Sequence, residues 1–311
     1  MAFLGEIISL GVAFSWTVTA LCFEFAGKRV GALTVNLFRL VLAFFMIGLL
    51  LFFFTGHFFP VGADGKAWLW LSVSGLIGFV FGDFCLFFSY MLIGSRFGQL
   101  LMTLAPPSAA IAGMFILGEQ LHSNAIWGMV ITLMGIAMSV VSRGGGNERL
   151  HIKLPLKGLL LGVGAGVGQG VGLVFSKLGM NYYAQSCEGT DDRIVSLIPF
   201  AASQIRVITG IVGFTLIIAL SRRLQTLAPA IRDRKAMRAV FWGTIFGPFL
   251  GVSFSLMAVQ YTESGIASTL MALTPIIIIF PSVVWFKQKV TPSEIIGAVI
   301  SVVGVSLFFI G

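Results

Sequence analysis

The 311 residues are 57% hydrophobic and only 10% charged, with a mean hydropathy of +1.00. A soluble globule carries about 25% charged residues and has too little interior to hide this much apolar surface, so a soluble enzyme or binding domain is excluded. The formal charge of +8 does not point to nucleic acid, because the lysines and arginines fall in short loops between apolar segments, where they set membrane orientation.

Ten apolar segments approach the roughly 20 residues needed to cross a bilayer, at 6–26, 34–54, 68–91, 98–117, 124–142, 158–178, 197–220, 239–260, 266–286 and 293–310. The opening MAFLGEIISLGVAFSW lacks a basic n-region and a cleavage site, and reads as the first membrane helix rather than a signal peptide. That helix carries Trp16 and Glu24. The second opens NLFRLVLAFF and places Asn36 and Arg39. An arginine at the bilayer centre costs at least a few kcal/mol, so Arg39 needs a reason to be there. The third helix carries Asp83, within FGDF, and Tyr90.

Pro106–Pro107 in the fourth helix and Pro275 and Pro281 in the ninth mark hinges or packing kinks. The polar loop RGGGNERLHIKLP (143–155) halves the chain. GVGAGVGQGVG (162–172) in the sixth helix lacks the Lys-Ser/Thr of a phosphate loop and follows no strand. Its glycines serve close helix approach or flexing. Of the two later loops, 184–193 is acidic and 221–238 basic, and the latter is expected to include a short amphipathic surface helix. Cys22, Cys85 and Cys187 are too scattered for a disulfide framework or metal site. His57, His122 and His151 fall in or next to loops without partners at ligand spacing. No metal, cofactor or enzymatic chemistry is therefore expected.

The chain contains a duplication. FGDF (81–84) recurs as FGPF (246–249), and LMTLAPPSAA (101–110) as LMALTPIIII (270–279). From there the register holds without a gap, matching Pro106 to Pro275, Gly128 to Gly297 and Gly135 to Gly304. NLFRLVLAFF matches SQIRVITGIV (203–212), which makes Arg206 the twin of Arg39. The eight residues from Trp16 to Glu24 are matched by those from Gln169 to Lys177. The expected units are a first repeat at 1–142, a loop at 143–157 and a second repeat at 158–311.

Five helices per half is an odd number, so the second copy enters the membrane from the opposite side. The predicted fold is an all-α polytopic membrane protein of ten transmembrane helices, built as two five-helix inverted-topology repeats. Such folds are typical of secondary transporters, with the substrate near the midplane between the repeats and alternating access as the mechanism.

The side carrying the loops after helices one, three, five, seven and nine is called here the odd face, and the other the even face. At 1.5 Å per residue, Glu24 and Arg39 both lie toward the odd face and are expected to form a structural ion pair. Asp83 and Arg206 lie near mid-membrane and are expected to pair across the repeats, while Lys177 lies within reach of Glu119 at the even end. In the functional reading Arg206 receives a substrate carboxylate or phosphate, and Asp83 takes an amine or a proton. Asp83 and then Glu24 are the proton-coupling candidates, since ionisable groups inside a membrane mark proton and substrate paths. Trp16, Gln169, Asn36, Gln204 and Tyr90 complete the candidate substrate lining or serve as interhelical hydrogen-bond contacts.

Trp16, the early arginines Arg39 and Arg206, and the helix-four ending ILGEQLHSNAIWG (116–128) together resemble the drug/metabolite transporter superfamily, in its ten-helix EamA-type branch, over almost the whole chain. Two features depart from it. WFKQKVTPSEIIG (285–297) has Lys287 and Gln288 where the pattern has Gly and Glu, and Glu24 stands where members often carry lysine. The resemblance implies a carrier-type transporter of a small polar metabolite or drug, with proton-coupled export among its modes. The alternative is a flippase for a lipid-linked substrate, or a channel-like facilitator. The expected partners are the small-molecule substrate and the lipid bilayer. The chain is expected as a monomer or weak homodimer in a bacterial inner membrane, since its loops are short and no organelle signal is visible.

Fifteen of the twenty Lys/Arg, all but Arg39, Lys66, Lys177, Arg193 and Arg206, fall on the odd face. This bias predicts odd loops in the cytoplasm and both termini outside, whereas the resemblance implies cytoplasmic termini. A C-terminal fusion to a reporter that works only outside the cytoplasm is expected to be active; activity of a cytoplasm-only reporter there would reverse the orientation.

Overall fold

The computed structural model describes residues 4–118, 123–142, 151–152, 154–188, 192–261, 270–284, 287 and 290–307. α1 (Leu4–Val30) and α2 (Ala32–Thr55) meet at Gly31, whose φ of 87° and ψ of 147° suit only glycine. α3 (Gly65–Ser74) begins where the Asp64 carboxylate accepts from the Ala67 N–H at 2.8 Å. It passes through a π-helical stretch, Gly75–Gly82, into α4 (Asp83–Leu101). α4 breaks at Gly94 (φ 82°, ψ 160°). After one 3-10 turn, Met102–Leu104, comes α5 (Ala105–Leu117). The continuous stretch Gly65–Leu117 is thus two membrane spans divided at Gly94. α6 (Ser123–Val140) ends the first half, and Val141–Ser142 pairs antiparallel with His151–Ile152.

The second half runs α7 (Leu156–Ser186), α8 (Asp192–Ser196), α9 (Ile198–Leu220) and the short α10 (Leu227–Arg232). Then come α11 (Arg234–Thr244), a second π-helical stretch, Ile245–Phe249, and α12 (Leu250–Tyr261). α13 (Thr274–Ile277), α14 (Ile279–Val284) and α15 (Pro292–Leu307) close the described chain. The eighth span starts earlier than its hydropathy suggests, because the Asp233 side chain caps α11 by accepting from Lys235 and Ala236 N–H groups at 3.1 and 3.0 Å. The expected surface helix in the basic loop is α10, with Ile231 exposed beside Arg232 and Arg234.

Among the described residues six helices are long and apolar enough to cross a membrane, one of them the double span, and three shorter apolar helices lie at Ile126–Met138, Thr274–Val284 and Pro292–Leu307. The outer surface is that of a lipid-facing bundle, with Phe45, Phe53, Phe115 and Phe280 more than half exposed, while serines and threonines such as Ser74, Thr132, Ser176 and Ser301 are wholly buried.

The duplication is visible in the packing. α6 lies against α15. A Cβ added to Gly135 would strike Gly297 and Ser301, and one added to Gly304 would strike Gly128 and Thr132. Exchanging each residue for its twin turns the first contact into the second. The Thr132 hydroxyl donates to the Ser301 carbonyl and the Ser301 hydroxyl to the Thr132 carbonyl, each at 3.4 Å, and these two residues are twins of one another. Twin helices that cross with rising numbers on one against falling numbers on the other are antiparallel, so the repeats are inverted about a pseudo-twofold axis between Thr132 and Ser301.

The same exchange relates α1 packed on α11 and α12 to α7 packed on α3 and α4, and it leaves the α2–α9 pair on the axis. Both π-helical stretches fall on the repeated motif, one ending at Gly82 and the other spanning Gly247.

α7 stays helical through its glycine run, which settles the run's role as close approach. Gly162, Gly166 and Gly170 face Leu101, Leu104 and Ala105, while Gly168 and Gly172 face Gly82 and Gly78. In lipid, where apolar burial adds little, backbone contact through small residues is what holds helices together. Gly135→Leu and Gly304→Leu are each expected to destabilise the protein by about 1–3 kcal/mol through overpacking, read as lowered unfolding temperatures in detergent with matched losses for the two twins.

Candidate functional site

Asp83 sits where the first π-helical stretch passes into α4, and is 5% exposed. Its Oδ2 accepts a short hydrogen bond from Arg39 Nη2 on α2. Its Oδ1 accepts from Gln169 Nε2 on α7 at 2.7 Å. The same amide also lies 3.2 Å from the Gly78 carbonyl inside the π stretch. Such stretches occur mostly at functional positions, because their wider turn breaks the regular bonding of the helix. Arg39 Nε donates to Asn36 Oδ1 at 2.9 Å, and Asn36 Nδ2 in turn donates to the Ala32 carbonyl at 3.2 Å.

Aromatic rings surround the arginine. Its guanidinium lies 4.8 Å from the Phe87 ring, 5.7 Å from Phe23 and 5.8 Å from Phe79. Desolvated cation–π contacts of this kind reach about 2 kcal/mol. Phe79 also carries Arg206 of α9 at 4.5 Å. Arg206 is 4% exposed, and its buried Nε makes no hydrogen bond. It acts on Asp83 electrostatically and forms no ion pair with it. Side chains of α2, α4, α7 and α9, from both repeats, thus converge on one buried carboxylate.

Two expected pairs are corrected. Glu24 does not meet Arg39. Its Oε1 lies 2.5 Å from Lys28 Nζ, one helical turn on, and its Oε2 accepts the Ser95 N–H at 2.8 Å. The break at Gly94 creates a new helix start at Ser95, and a carboxylate satisfies the free N–H groups and positive dipole end found there. Asp83, just after the π-helical stretch, pairs with Arg39 rather than Arg206.

Other expected residues are dispersed. Gln204 lies on the opposite side of α9 from Arg206, two residues being about 200° of helix, and donates to the Phe58 carbonyl at 2.9 Å. Tyr90 accepts from Gln99 Nε2 at 2.6 Å and stacks beside Phe87, one ring removed from Arg39. Trp16 lies against Gly251 of α12, as its twin Gln169 lies against Gly82. It stands apart from Asp83. Glu119, the expected neighbour of Lys177, lies outside the described residues. Among the described residues no three His, Cys, Asp or Glu side chains cluster as metal ligands.

Sequence reasoning missed Arg96–Glu294, a pair at 2.9 Å between α4 and α15 with both side chains largely buried. The available signal was TPSE (291–294), a helix-start motif in which Thr291 reaches Glu294 Oε1 at 3.0 Å. The odd face is also tied by Arg29 and Asp233, 2.8 Å apart. The Ala236 N–H and then Arg29 hold the Asp233 carboxyl below the usual carboxylate range. The even face is tied by neutral bonds: Tyr183 hydroxyl to the Val61 carbonyl and Ser186 hydroxyl to the Gly62 carbonyl, both 2.7 Å. A buried charged cluster between inverted repeats, with separate ties at each face, defines a membrane transporter of the two-repeat helical class.

The EamA-like transporter family model matches residues 3–141 and again 156–310, and the chain belongs to that family. An "Uncharacterized transporter" of Archaeoglobus fulgidus is 28% identical over 109 residues, which is 35% of this chain and 37% of that protein. The matched stretch thus spans little more than a third of that relative. A protein of known crystal structure aligns over 98% of this chain and 96% of its own, with a TM-score of 0.60 and 16% identity, which shows a shared fold.

Gly94→Ala is expected to cost about 1–3 kcal/mol, because an alanine is strained at that φ and ψ. Glu24→Gln is expected to cost about 1–2 kcal/mol by weakening the bond to Ser95. Unfolding temperatures of both variants check this, and an unchanged Gly94→Ala would contradict the break in α4.

Proposed function

We propose that the protein is a secondary transporter that moves a small polar metabolite by alternating access, with Asp83, Arg39, Gln169 and Arg206 at its central site. The observation that carries this reading is the convergence of buried charge from both repeats on Asp83. A merely structural ion pair needs two partners. Here a second buried arginine, Arg206, shares the Phe79 ring with Arg39 and has no carboxylate of its own.

In the proposed cycle the α6–α15 contact and the α2–α9 pair lie on the axis and act as the pivot, and the two repeats exchange conformations about it. Closing the odd face seats Arg96 on Glu294 and Arg29 on Asp233. Closing the even face seats residues 58–62 on Tyr183, Ser186 and Gln204. Asp83 takes up a proton on one side of the membrane and releases it on the other, which couples export to proton entry. Arg39 anchors Asp83, and Arg206 meets the substrate.

The test is reconstitution in proteoliposomes loaded with a small-metabolite extract, under an imposed pH gradient, with mass spectrometry of what crosses. One metabolite is expected to cross with the wild type. Arg206→Ala and Asp83→Asn are expected to lower its flux at least ~10-fold, equivalent to about 1.4 kcal/mol, with both proteins still folded. Arg39→Ala is expected to lower stability by about 3–5 kcal/mol, since it strands a buried carboxylate. Equal flux through wild type and Arg206→Ala would sink the assignment.

A further inference from the structure

The duplication left each repeat an arginine but only one repeat a carboxylate. Arg39 meets Asp83 within its own half. In the alignment of FGDF with FGPF, the position answering to Asp83 is Pro248, buried in the second π-helical stretch and carrying no charge. Arg206 is therefore a buried cation whose inherited partner is missing, and its Nε has no hydrogen-bond partner. Asp83 does not take that place, since its two oxygens already accept from Arg39 and Gln169. Arg39, Arg206 and Asp83 together sum to one net positive charge.

Among the described residues, the surroundings of Arg206 supply no oxygen acceptor for its guanidinium. Its guanidinium lies on the Phe79 ring at 4.5 Å. Next to it stands Gly78, where an added Cβ would come within 3.0 Å of Arg206 Nη2. Glycine at position 78 thus lets the guanidinium lie directly against the helix backbone, and a side chain there would displace it. A buried guanidinium with unused donors recognises a planar or tetrahedral oxyanion, and carboxylate and phosphate fit it best.

Resting on the midplane transport reading, we propose that the substrate is a soluble organic anion whose carboxylate or phosphate binds Arg206 beside Phe79 and Gly78. The ligand supplies the charge that Pro248 does not. Cations and neutral compounds are excluded as substrates, and a zwitterion binds through its anionic end.

The experiment is thermal unfolding of delipidated protein in detergent, for wild type, Arg206→Met, Arg206→Lys and Gly78→Ala. The probes are benzoate, benzamide, benzylamine, inorganic phosphate and phosphatidylglycerol. Benzoate or phosphate is expected to raise the wild-type unfolding temperature by about 3 °C or more at saturating concentration. Benzamide and benzylamine are expected to give no shift. Arg206→Met is expected to lose the anion shift and, without any probe, to unfold no lower than the wild type, because it removes an uncompensated buried charge. Arg206→Lys is expected to keep part of the shift, and Gly78→Ala to reduce it with the charges intact.

An Arg206→Met protein that unfolds well below the wild type, with no anion shift in the wild type, would make Arg206 structural and overturn the proposal. A benzylamine or benzamide shift that survives Arg206→Met would overturn the anion class while leaving the transport reading standing, since flux through Asp83 and Arg206 variants tests that reading separately. A shift by phosphatidylglycerol alone would make the anion a lipid headgroup and overturn the soluble-substrate assignment.

Discussion

The cost of holding charge in a place without water governs the centre of this molecule. A buried ion pair survives only when its geometry is good and its remaining donors and acceptors are filled. Arg39 meets both demands: a carboxylate at Nη2, an amide oxygen at Nε, and rings on its faces. Asp83 meets them by accepting from both repeats at once. The bond from Gln169 is the only one of these that crosses between halves. It ties the site in the first half to α7 of the second.

Around that centre the bundle is held by backbone contact rather than by side-chain volume. α7 presents glycines on two faces, one toward α4 and α5 and the other toward the first π-helical stretch. Helices this close allow little sideways play except where they are interrupted. The interruptions are Gly94, where a new helix start is capped by Glu24, and the two π-helical stretches on the repeated motif.

Much of this was legible in the sequence. The duplication rested on local matches that survive any uncertainty about packing: FGDF with FGPF, two arginines in the same place, and glycines in fixed register. An odd number of helices per half then fixed the inversion. The pairings were not legible, because depth along a helix says nothing of direction around it. Glu24 and Arg39 are at similar depth, but a glycine with positive φ supplied Glu24 with a backbone N–H instead. Asp83, at the end of a π-helical stretch, met Arg39 instead of Arg206. Gln204 shares a helix with Arg206 and points the other way. The Glu24 miss comes from a break in α4 at Gly94, and the Gln204 miss from its direction around a regular helix.

The two ends of the molecule are fastened by different chemistry. On the odd face Lys28 and the Arg29–Asp233 pair reach into water, while the even face is fastened by hydroxyl and amide bonds to backbone carbonyls. Dissolved ions screen exposed charges within about 10 Å at 0.1 M and leave neutral hydrogen bonds almost untouched. Dissolved salt on the odd side therefore weakens the Arg29–Asp233 tie, while the hydroxyl and amide bonds of the even face are almost indifferent to it.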